Sequence, residues 1–213
     1  MKKFLVAIDQ GTTSTRVILF DVNGNKKFIS QFEIKQYFPK NGWVEHNPNE
    51  IWETTLRSLK KVIKKAKELK GKILSIGITN QRETTVLWNK KNGRPIYNAI
   101  VWQDRRTQKY CQNLKKSNYE NNIRKKTGLF IDPYFSATKI KWILDNVKKS
   151  KKLLKTNNLL FGTIDSFLIW KLTKGKKHLT EATNASRTML FNINTNQWDK
   201  NILNKLKIPS KIL

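Results

Sequence analysis

FLVAIDQGTTSTRVILFD, residues 4–21, is the stretch that decides the fold. Its two aliphatic runs, residues 4–8 and 17–20, have the length and composition of buried strands. The residues between them are too polar for a protein core, since they include a carboxylate, a glycine, four consecutive hydroxyl side chains and an arginine. We therefore predict two strands joined by a tight polar turn.

This turn has the chemistry of a phosphate-binding site. Backbone amides and hydroxyls in a tight turn form a nest for phosphate oxygens, and Asp9 can hold a magnesium ion directly or through water. The turn has neither the GxxxxGK pattern of a P-loop nor the GxGxxG pattern of a dinucleotide turn. A polar hairpin turn that binds nothing stays open as the alternative.

The formal charge of +28 invites a nucleic-acid or membrane-surface partner. Only eight of the 43 basic residues are arginine, however, and the lysines are scattered over nearly every segment. No recognised nucleic-acid motif accompanies them. We interpret the charge as a solvated coat and expect no nucleic-acid and no membrane partner; a nucleic-acid binder would instead show steeply salt-dependent binding to DNA.

The cysteine content and the hydropathy pattern indicate the compartment. The lone Cys111 rules out an internal disulfide framework and fits a reducing environment. No apolar stretch reaches the roughly 18 residues needed to span a bilayer, and the N-terminus runs directly into a predicted strand. We expect a cytoplasmic protein.

The segments after the hairpin predict an α/β layered domain. Residues 26–35 indicate a third antiparallel strand, and Asn47-Pro48 is a helix start with a cap residue and a first-turn proline. Residues 73–79, ILSIGIT, form an apolar run that predicts a parallel strand buried on both faces. The inner face of the helix is expected to carry Trp52, Leu56, Leu59, Ile63, Ala66 and Leu69.

Polar residues at predicted strand ends are candidates for a substrate site. Arg82 and Glu83 follow the apolar run, where the arginine can donate to a polyhydroxylated substrate and the glutamate can accept from it. A surface salt bridge between them is the alternative. Trp102 can cover the apolar side of a small ligand or belong to the core, and Tyr134 has a hydroxyl to offer. We interpret His46 as a capping or loop histidine.

The second half of the chain is predicted as strands and helices. Asn92-Gly93 is a hairpin signal between strands at 84–88 and 95–102, after which 102–106 is expected to open a helix. Further helices are expected at 137–147, 165–172 and 198–206, and a strand at 159–163. Lys148–Lys155 is interpreted as a basic connector.

Seven motifs in order along the chain carry a resemblance to one family. They are AIDQGTTSTR, GWVEHNPNEIW, GITNQRETT, PIYNAIVWQDRRT, TGLFIDPYFSATKIKWIL, LLFGTIDSFLIWKLT and TNASRTMLFNI. The chain thereby resembles the FGGY carbohydrate kinase family, and ITNQRETT and IVWQDRRT are similar to the motifs of its glycerol kinases. The resemblance implies a ribonuclease H-like α/β domain of the sugar kinase, Hsp70 and actin type, a mixed sheet with an antiparallel hairpin meander and flanking helices.

The resemblance also implies roles for individual residues. Transfer of the γ-phosphoryl group of ATP to glycerol, giving glycerol 3-phosphate, is the implied reaction, with Mg²⁺ at Asp9. Positions matching the family's nucleotide-phosphate site are Thr12, Thr13, Ser14 and Arg16. Positions matching its glycerol site are Arg82, Glu83, Trp102 and Tyr134.

One part of the family pattern has no counterpart here. Family members place a catalytic aspartate in an Ala-Gly-Asp-Gln-Gln segment beyond the position of residue 213, followed by a second domain. We therefore expect residues 1–213 to be an N-terminal kinase domain, incomplete at its C-terminal edge, with no assignable base and little activity alone. A C-terminal half or a homo-oligomer is the possible protein partner. A kinase for another polyol or sugar, and a non-catalytic glycerol-binding or partner module, stay open as alternatives.

Overall fold

The computed structural model describes residues 1–213, which form two units. Unit 1 comprises Met1–Gln36 and His46–Gln81, and unit 2 comprises Tyr37–Glu45 and Arg82–Leu213. The elements in chain order are β1 (Lys2–Gln10), β2 (Ser14–Asp21), β3 (Lys26–Glu33), β4 (Glu45–His46), α1 (Pro48–Glu68), β5 (Gly71–Asn80), β6 (Val86–Asn89), β7 (Ala99–Ile100), α2 (Gln108–Lys116), α3 (Glu120–Thr127), α4 (Ser136–Asn146), α5 (Lys148–Lys155), β8 (Leu159–Gly162), α6 (Ile164–Leu172), α7 (Ala182–Ala185), β9 (Phe191–Asn192), β10 (Gln197–Trp198) and α8 (Lys200–Leu206).

A mixed sheet in the order β3-β2-β1-β5 organises unit 1. β1 pairs antiparallel with β2 and parallel with β5, and β2 pairs antiparallel with β3. Successive side chains of a strand point to opposite faces, and on β1 the buried residues are Phe4, Val6, Ile8 and Gln10. The prediction of an antiparallel meander followed by a crossover to a parallel strand is confirmed.

Helix α1 begins as its sequence signals predict, but its buried face is shifted. Asn47 Oδ1 accepts from the Asn49 amide (3.0 Å), and Pro48 occupies the first turn. The buried residues are Ile51, Thr55, Ser58, Leu59, Val62 and Ala66, together with Pro48. Of the predicted inner face only Leu59 and Ala66 are buried. The apolar period misplaced the centre of the face because Thr55 is buried with its hydroxyl satisfied by the Ile51 carbonyl (2.7 Å).

The prediction that β5 is buried on both faces is wrong. Leu74 and Ile76 are 49% and 42% exposed, and no residue of the strand is in the buried class. The reason is its place in the sheet: β5 pairs with β1 on one side and is the edge strand on the other. An apolar run indicates a strand, but it does not indicate whether another strand pairs with its second edge.

Unit 2 is built around a hydrophobic core to which its sheets and helices contribute. β6 pairs antiparallel with β8, from Val86 opposite Gly162 to Asn89 opposite Leu159. The predicted hairpin is present, since Asn89 N bonds to the Arg94 carbonyl (3.0 Å) and Gly93 has a positive φ of 65°. The second arm is regular only at β7, however. The core includes Leu87, Ile100, Ile131, Ile140, Ile143, Phe161 and Leu203.

Two further expectations for unit 2 are corrected. Residues 102–106 do not open a helix, because the Asp104 amide closes a turn on the Val101 carbonyl (3.0 Å) and α2 begins at Gln108. The basic connector is helix α5 instead. Its lysines hid an amphipathic pattern in which Ser150 and Leu153 are buried.

No helix of the structure combines the length and the apolar character needed to cross a membrane.

Candidate functional site

In unit 1, the predicted phosphate turn is the short connection between β1 and β2. The Gly11 amide donates to the Ser14 carbonyl (2.9 Å), and the Thr13 carbonyl accepts from the Ile34 amide (3.0 Å). A Cβ atom on Gly11 would lie 3.2 Å from the Ser14 carbonyl oxygen, so the tightness of the turn itself favours glycine. The sequence prediction of a polar strand-to-strand turn is confirmed in its geometry.

The hydroxyl side chains of this turn differ in their surroundings. The Ser14 hydroxyl accepts from Gln31 Nε2 (3.1 Å), and the buried Thr15 hydroxyl accepts from Thr54 Oγ1 (3.2 Å). Thr13 is exposed and Thr12 is half-buried. Thr12 and Thr13 are therefore the hydroxyls of the turn best placed to meet a phosphate from solvent, whereas Thr15 belongs to the packing of the sheet against α1.

Asp9 and Arg16 face each other across β1 and β2. Arg16 Nη2 lies 2.8 Å from Asp9 Oδ2, and both side chains are partly exposed. The structure contains no group of three or more histidine, cysteine, aspartate or glutamate side chains that could hold a metal ion. Asp9 therefore offers one carboxylate and no protein cage for a metal ion. Mg²⁺ is usually bound through one or two carboxylates, with water and phosphate oxygens as its other ligands.

A buried polar network lies behind the turn. Gln81 Nε2 contacts Gln10 Oε1 (3.1 Å), the Gly11 carbonyl (3.3 Å) and His46 Nδ1 (3.1 Å). His46 is fully buried in β4, so its interpretation as a capping or loop histidine is wrong. Burial lowers the pKa of His46 to about 4, and its Nε2 has no hydrogen-bond partner. The neutral imidazole and the two amides hold the backbone at the end of β1.

In unit 2, Glu83 occupies an unusual backbone position. Its φ is +64°, a left-handed backbone conformation that residues other than glycine rarely adopt, and its side chain is buried. Glu83 Oε1 accepts from Arg187 Nε at 2.6 Å, so the buried carboxylate has a partly buried ionic partner. Arg82 is exposed and the alternative of a surface salt bridge between Arg82 and Glu83 is wrong, because Arg187 takes that place.

The other predicted substrate residues meet at the same place. The rings of Trp102 and Tyr134 have centroids 5.4 Å apart. The Arg187 guanidinium lies 5.7 Å from the centroid of Tyr134 and so links these rings to Glu83. The structure thus brings together a carboxylate, a guanidinium and two aromatic rings that the sequence spreads over more than a hundred residues. We call Glu83, Trp102, Tyr134 and Arg187 the Glu83 cluster.

Sequence reasoning missed Arg187. It lies in the 3₁₀ turn Ser186–Thr188, inside a run of small polar residues that the sequence analysis used only as part of the motif TNASRTMLFNI. The available signal was a single long cationic side chain among small ones, within the quoted motif TNASRTMLFNI. A charged residue in such a run is expected to have a partner when the backbone around it is packed.

The turn that carries Trp102 is held by a buried ion cluster. Arg106 has no exposed side-chain surface and donates to Glu45 (2.7 Å) and Asp104 (2.8 Å). Its guanidinium lies 3.8 Å from the centroid of the Trp43 ring. Asp104 also accepts from the Val44 amide (2.7 Å). The cluster joins the segment Tyr37–Glu45 to the residues after β7 and keeps the turn at 101–106 in place.

A cavity of about 410 Å³ lies elsewhere in unit 2. Its lining includes Gly162, Thr163, His178, Thr180 and Thr188, and none of the predicted site residues. The buried Asp165 carboxyl accepts from the hydroxyls of Thr163 and Thr180, and burial raises its pKa. The Glu83 cluster is therefore not part of this cavity.

Comparison with known proteins places the chain in a family. The model of the FGGY family of carbohydrate kinases, N-terminal domain, matches residues 4–213. The glycerol kinase of Lactobacillus acidophilus is 57% identical over 212 residues, which cover 100% of this chain and 42% of that protein. The chain thus spans about two fifths of the length of the curated relatives that it matches.

Solved structures agree with this similarity. The crystal structure of Plasmodium falciparum glycerol kinase with ADP matches with a TM-score of 0.92 and 38% identity, over 97% of this chain and 41% of that one. A gluconate kinase from Lactobacillus acidophilus matches with a TM-score of 0.86 and 26% identity, over 100% and 41%. The predicted sugar-kinase fold is confirmed. On this evidence the chain belongs to the FGGY family of carbohydrate kinases and corresponds to their N-terminal domain.

Proposed function

We propose that this chain supplies the alcohol-binding site and one phosphate-binding turn of a kinase that transfers the γ-phosphoryl group of ATP to glycerol. The observation that carries the proposal is the Glu83 cluster, in which an ion-paired Glu83 and the rings of Trp102 and Tyr134 meet through Arg187. The similarity of the whole chain to curated glycerol kinases supports the choice of glycerol.

Each residue of the proposed glycerol site has a separate task. Glu83, held by Arg187, accepts hydrogen bonds from glycerol hydroxyls, Arg82 donates to them, and the Tyr134 hydroxyl donates to or accepts from them. Trp102 packs against the carbon chain. Because a buried acceptor without a partner is costly, a site built in this way favours a ligand with several hydroxyl groups over an apolar one of the same size.

The proposed phosphate site lies in the turn after β1. Thr12, Thr13, Ser14 and Arg16 supply amides, hydroxyls and one positive charge to phosphate oxygens. Asp9 offers an oxygen to Mg²⁺ or to its bound water, in competition with Arg16. When bound, Mg²⁺ neutralises charge on the phosphates; the contribution of the chain is to position the groups.

The proposal assigns no catalytic base to the 213 residues. Glu83 is engaged with Arg187 and is better suited to hold the substrate than to take its proton. We propose that residues 1–213 form one N-terminal kinase domain, and that the base and the remaining nucleotide contacts come from sequence corresponding to the rest of the longer relatives, as a C-terminal half. The proposal includes a cytoplasmic location, supported by the single, unpaired Cys111.

The experiment that tests the function has two parts. Glycerol binding is measured on the 213-residue chain by titration calorimetry. Phosphorylation is measured on a chimera in which this chain replaces the matching segment of the Lactobacillus acidophilus glycerol kinase. We expect binding by the chain without turnover, and ATP-dependent formation of glycerol 3-phosphate by the chimera. A folded chimera without glycerol kinase activity, together with a chain that does not bind glycerol, would overturn the proposal.

Two comparisons sharpen this test. Glu83→Gln in the chimera should lower kcat/KM for glycerol by roughly 10- to 100-fold, the range for a lost hydrogen bond to a charged group. Glu68→Gln, the same chemical change at an exposed position of α1, should leave it unchanged. Gluconate and xylulose are assayed in parallel, and a preference for either would replace glycerol as the substrate.

A further inference from the structure

Lys139 stands apart from the other lysines of this chain. It lies on α4 with no exposed surface and is the only lysine in the buried class. It takes part in no ion pair. Burial lowers its pKa to about 7, although Glu83, Asp104 and Asp132 oppose the shift. An ammonium group removed from water without a carboxylate partner is a cost to folding, so the position calls for another explanation.

The hydrogen bonds of Lys139 connect two residues of the proposed glycerol site. Its Nζ donates to the Tyr134 carbonyl at 2.5 Å and lies 3.4 Å from the Glu83 carbonyl. These two residues are far apart in sequence and come from different loops. The Lys139 ammonium group, hydrogen-bonded to both backbones, therefore sets the distance between the two loops. It does so through backbone carbonyls and not through the side chains of the site.

The Glu83 carbonyl is a point of convergence. It also accepts from Ser136 Oγ (3.0 Å) and from Thr85 Oγ1 (3.2 Å). Ser136 and Lys139 are three residues apart on α4 and so lie on the same face of the helix. Because Glu83 is in the left-handed conformation, the direction of its carbonyl and that of its side chain are coupled through one strained residue.

We propose that Lys139 is a positioning residue, which holds Glu83 and Tyr134 in register through their carbonyl oxygens so that both can meet one small polyol. The proposal rests on the proposed glycerol function of the site. Lys139 touches no substrate; it acts through the two residues that do. Its removal should therefore weaken glycerol recognition and leave the nucleotide turn of unit 1 unaffected.

The test compares Lys139→Met with Lys141→Met, a lysine on the same helix whose partner is Asp145. In the chimera we expect Lys139→Met to raise KM for glycerol about tenfold with KM for ATP unchanged, and Lys141→Met to change neither. Glycerol affinity of the 213-residue chain should fall in parallel. In a double-mutant cycle, Lys139→Met and Glu83→Gln should be less than additive, since the lysine acts through Glu83.

A second variant guards against loss of folding. Lys139→Gln keeps a neutral donor that reaches one carbonyl, and it should raise KM for glycerol about threefold in a protein with the unfolding midpoint of the parent. Wild-type glycerol recognition with unchanged KM in Lys139→Met or Lys139→Gln, or additive effects with Glu83→Gln, would overturn the inference alone. Absence of glycerol binding and turnover in the parent would overturn the proposed function and this inference with it.

Discussion

At the scale of single residues, Glu83 combines three properties that seldom occur together. Its backbone is left-handed, its carboxylate is buried and paired, and its carbonyl receives hydroxyl and ammonium donors. A strained conformation persists only where the surroundings determine it from several directions. Here the carbonyl donors come from α4 and from Thr85, and the carboxylate partner comes from the turn at Ser186–Thr188. Hydrogen bonds therefore fix both the backbone carbonyl and the carboxylate of Glu83, which packing alone does not require.

His46 provides a prediction at this scale. Its pKa of about 4 in the folded chain is below the usual 6.5, so between these values the unfolded chain binds more protons. The contribution of the lowered His46 pKa to the free energy of unfolding is fully present above pH 6.5 and is lost as the pH falls towards 4. We expect His46 to account for a decrease of about 2 kcal/mol in the unfolding free energy between pH 7 and pH 4.5.

Urea unfolding at the two pH values measures this effect. The difference between pH 7 and pH 4.5 should shrink by about that amount in His46→Gln, whose amide cannot titrate. His178, whose pKa burial also lowers, supplies the matched variant His178→Gln. An unchanged pH dependence in His46→Gln would show that the imidazole is not held neutral by its surroundings.

At the scale of elements, β5 shows how position in a sheet changes the meaning of a strand. Its sequence is that of a central strand, yet it lies at the edge of the sheet with Leu74 and Ile76 exposed. Edge strands with apolar side chains are prone to pair with other chains, and proteins commonly protect them with charged residues. β5 has a single charged residue, Lys72, and it lies at the start of the strand.

We therefore predict that β5 promotes self-association of the 213-residue chain. Leu74→Lys should raise the concentration at which the chain begins to associate, measured by light scattering, while changing the unfolding free energy by less than about 0.5 kcal/mol, as for other exposed sites. Leu59→Lys in the buried face of α1 is the contrasting variant and should unfold the chain instead. Equal association of Leu74→Lys and the parent would exclude β5 as the cause.

At the scale of the whole molecule, the charge of +28 dominates the electrostatics. Like charges on one compact chain repel, and this repulsion is relieved on unfolding. The ion pairs of the structure oppose it only in part, because 15 acidic residues face 43 basic ones. The family assignment gives this charge no role in recognition, and it remains an interpretation that the lysines form a solvated coat.

Salt should therefore stabilise the chain. Raising NaCl from 20 mM to 200 mM shortens the screening length to below 10 Å, and we expect the unfolding midpoint to rise by roughly 3 °C, about 1 kcal/mol. Thermal denaturation followed by circular dichroism at pH 7 measures the change. A chloride salt is required, because sulfate stabilises proteins by exclusion from their surface as well. A midpoint that falls with NaCl would mean that the ion pairs outweigh the repulsion.

The local patterns of the sequence determined the elements that depend on neighbouring residues. The hairpin at residues 4–21, the capped start of α1 and the turn at Gly93 follow from strand alternation, a side-chain cap and a glycine, all of which act within a few residues. Among the residues proposed as the glycerol site, the polar types of Arg82 and Glu83 after a predicted strand and of Tyr134 in a predicted loop were also visible in the sequence.

Only the tertiary structure decided which distant residues meet. Arg187 pairs with Glu83 across 104 positions, Lys139 lies beneath the same residue, and β5 is at an edge although its composition suits a centre. These outcomes depend on contacts between strands and loops that are far apart in sequence, and the spacing of apolar residues does not indicate those contacts. The physical reason is that burial, and with it the meaning of a charge, is a property of the assembled fold and not of the local sequence.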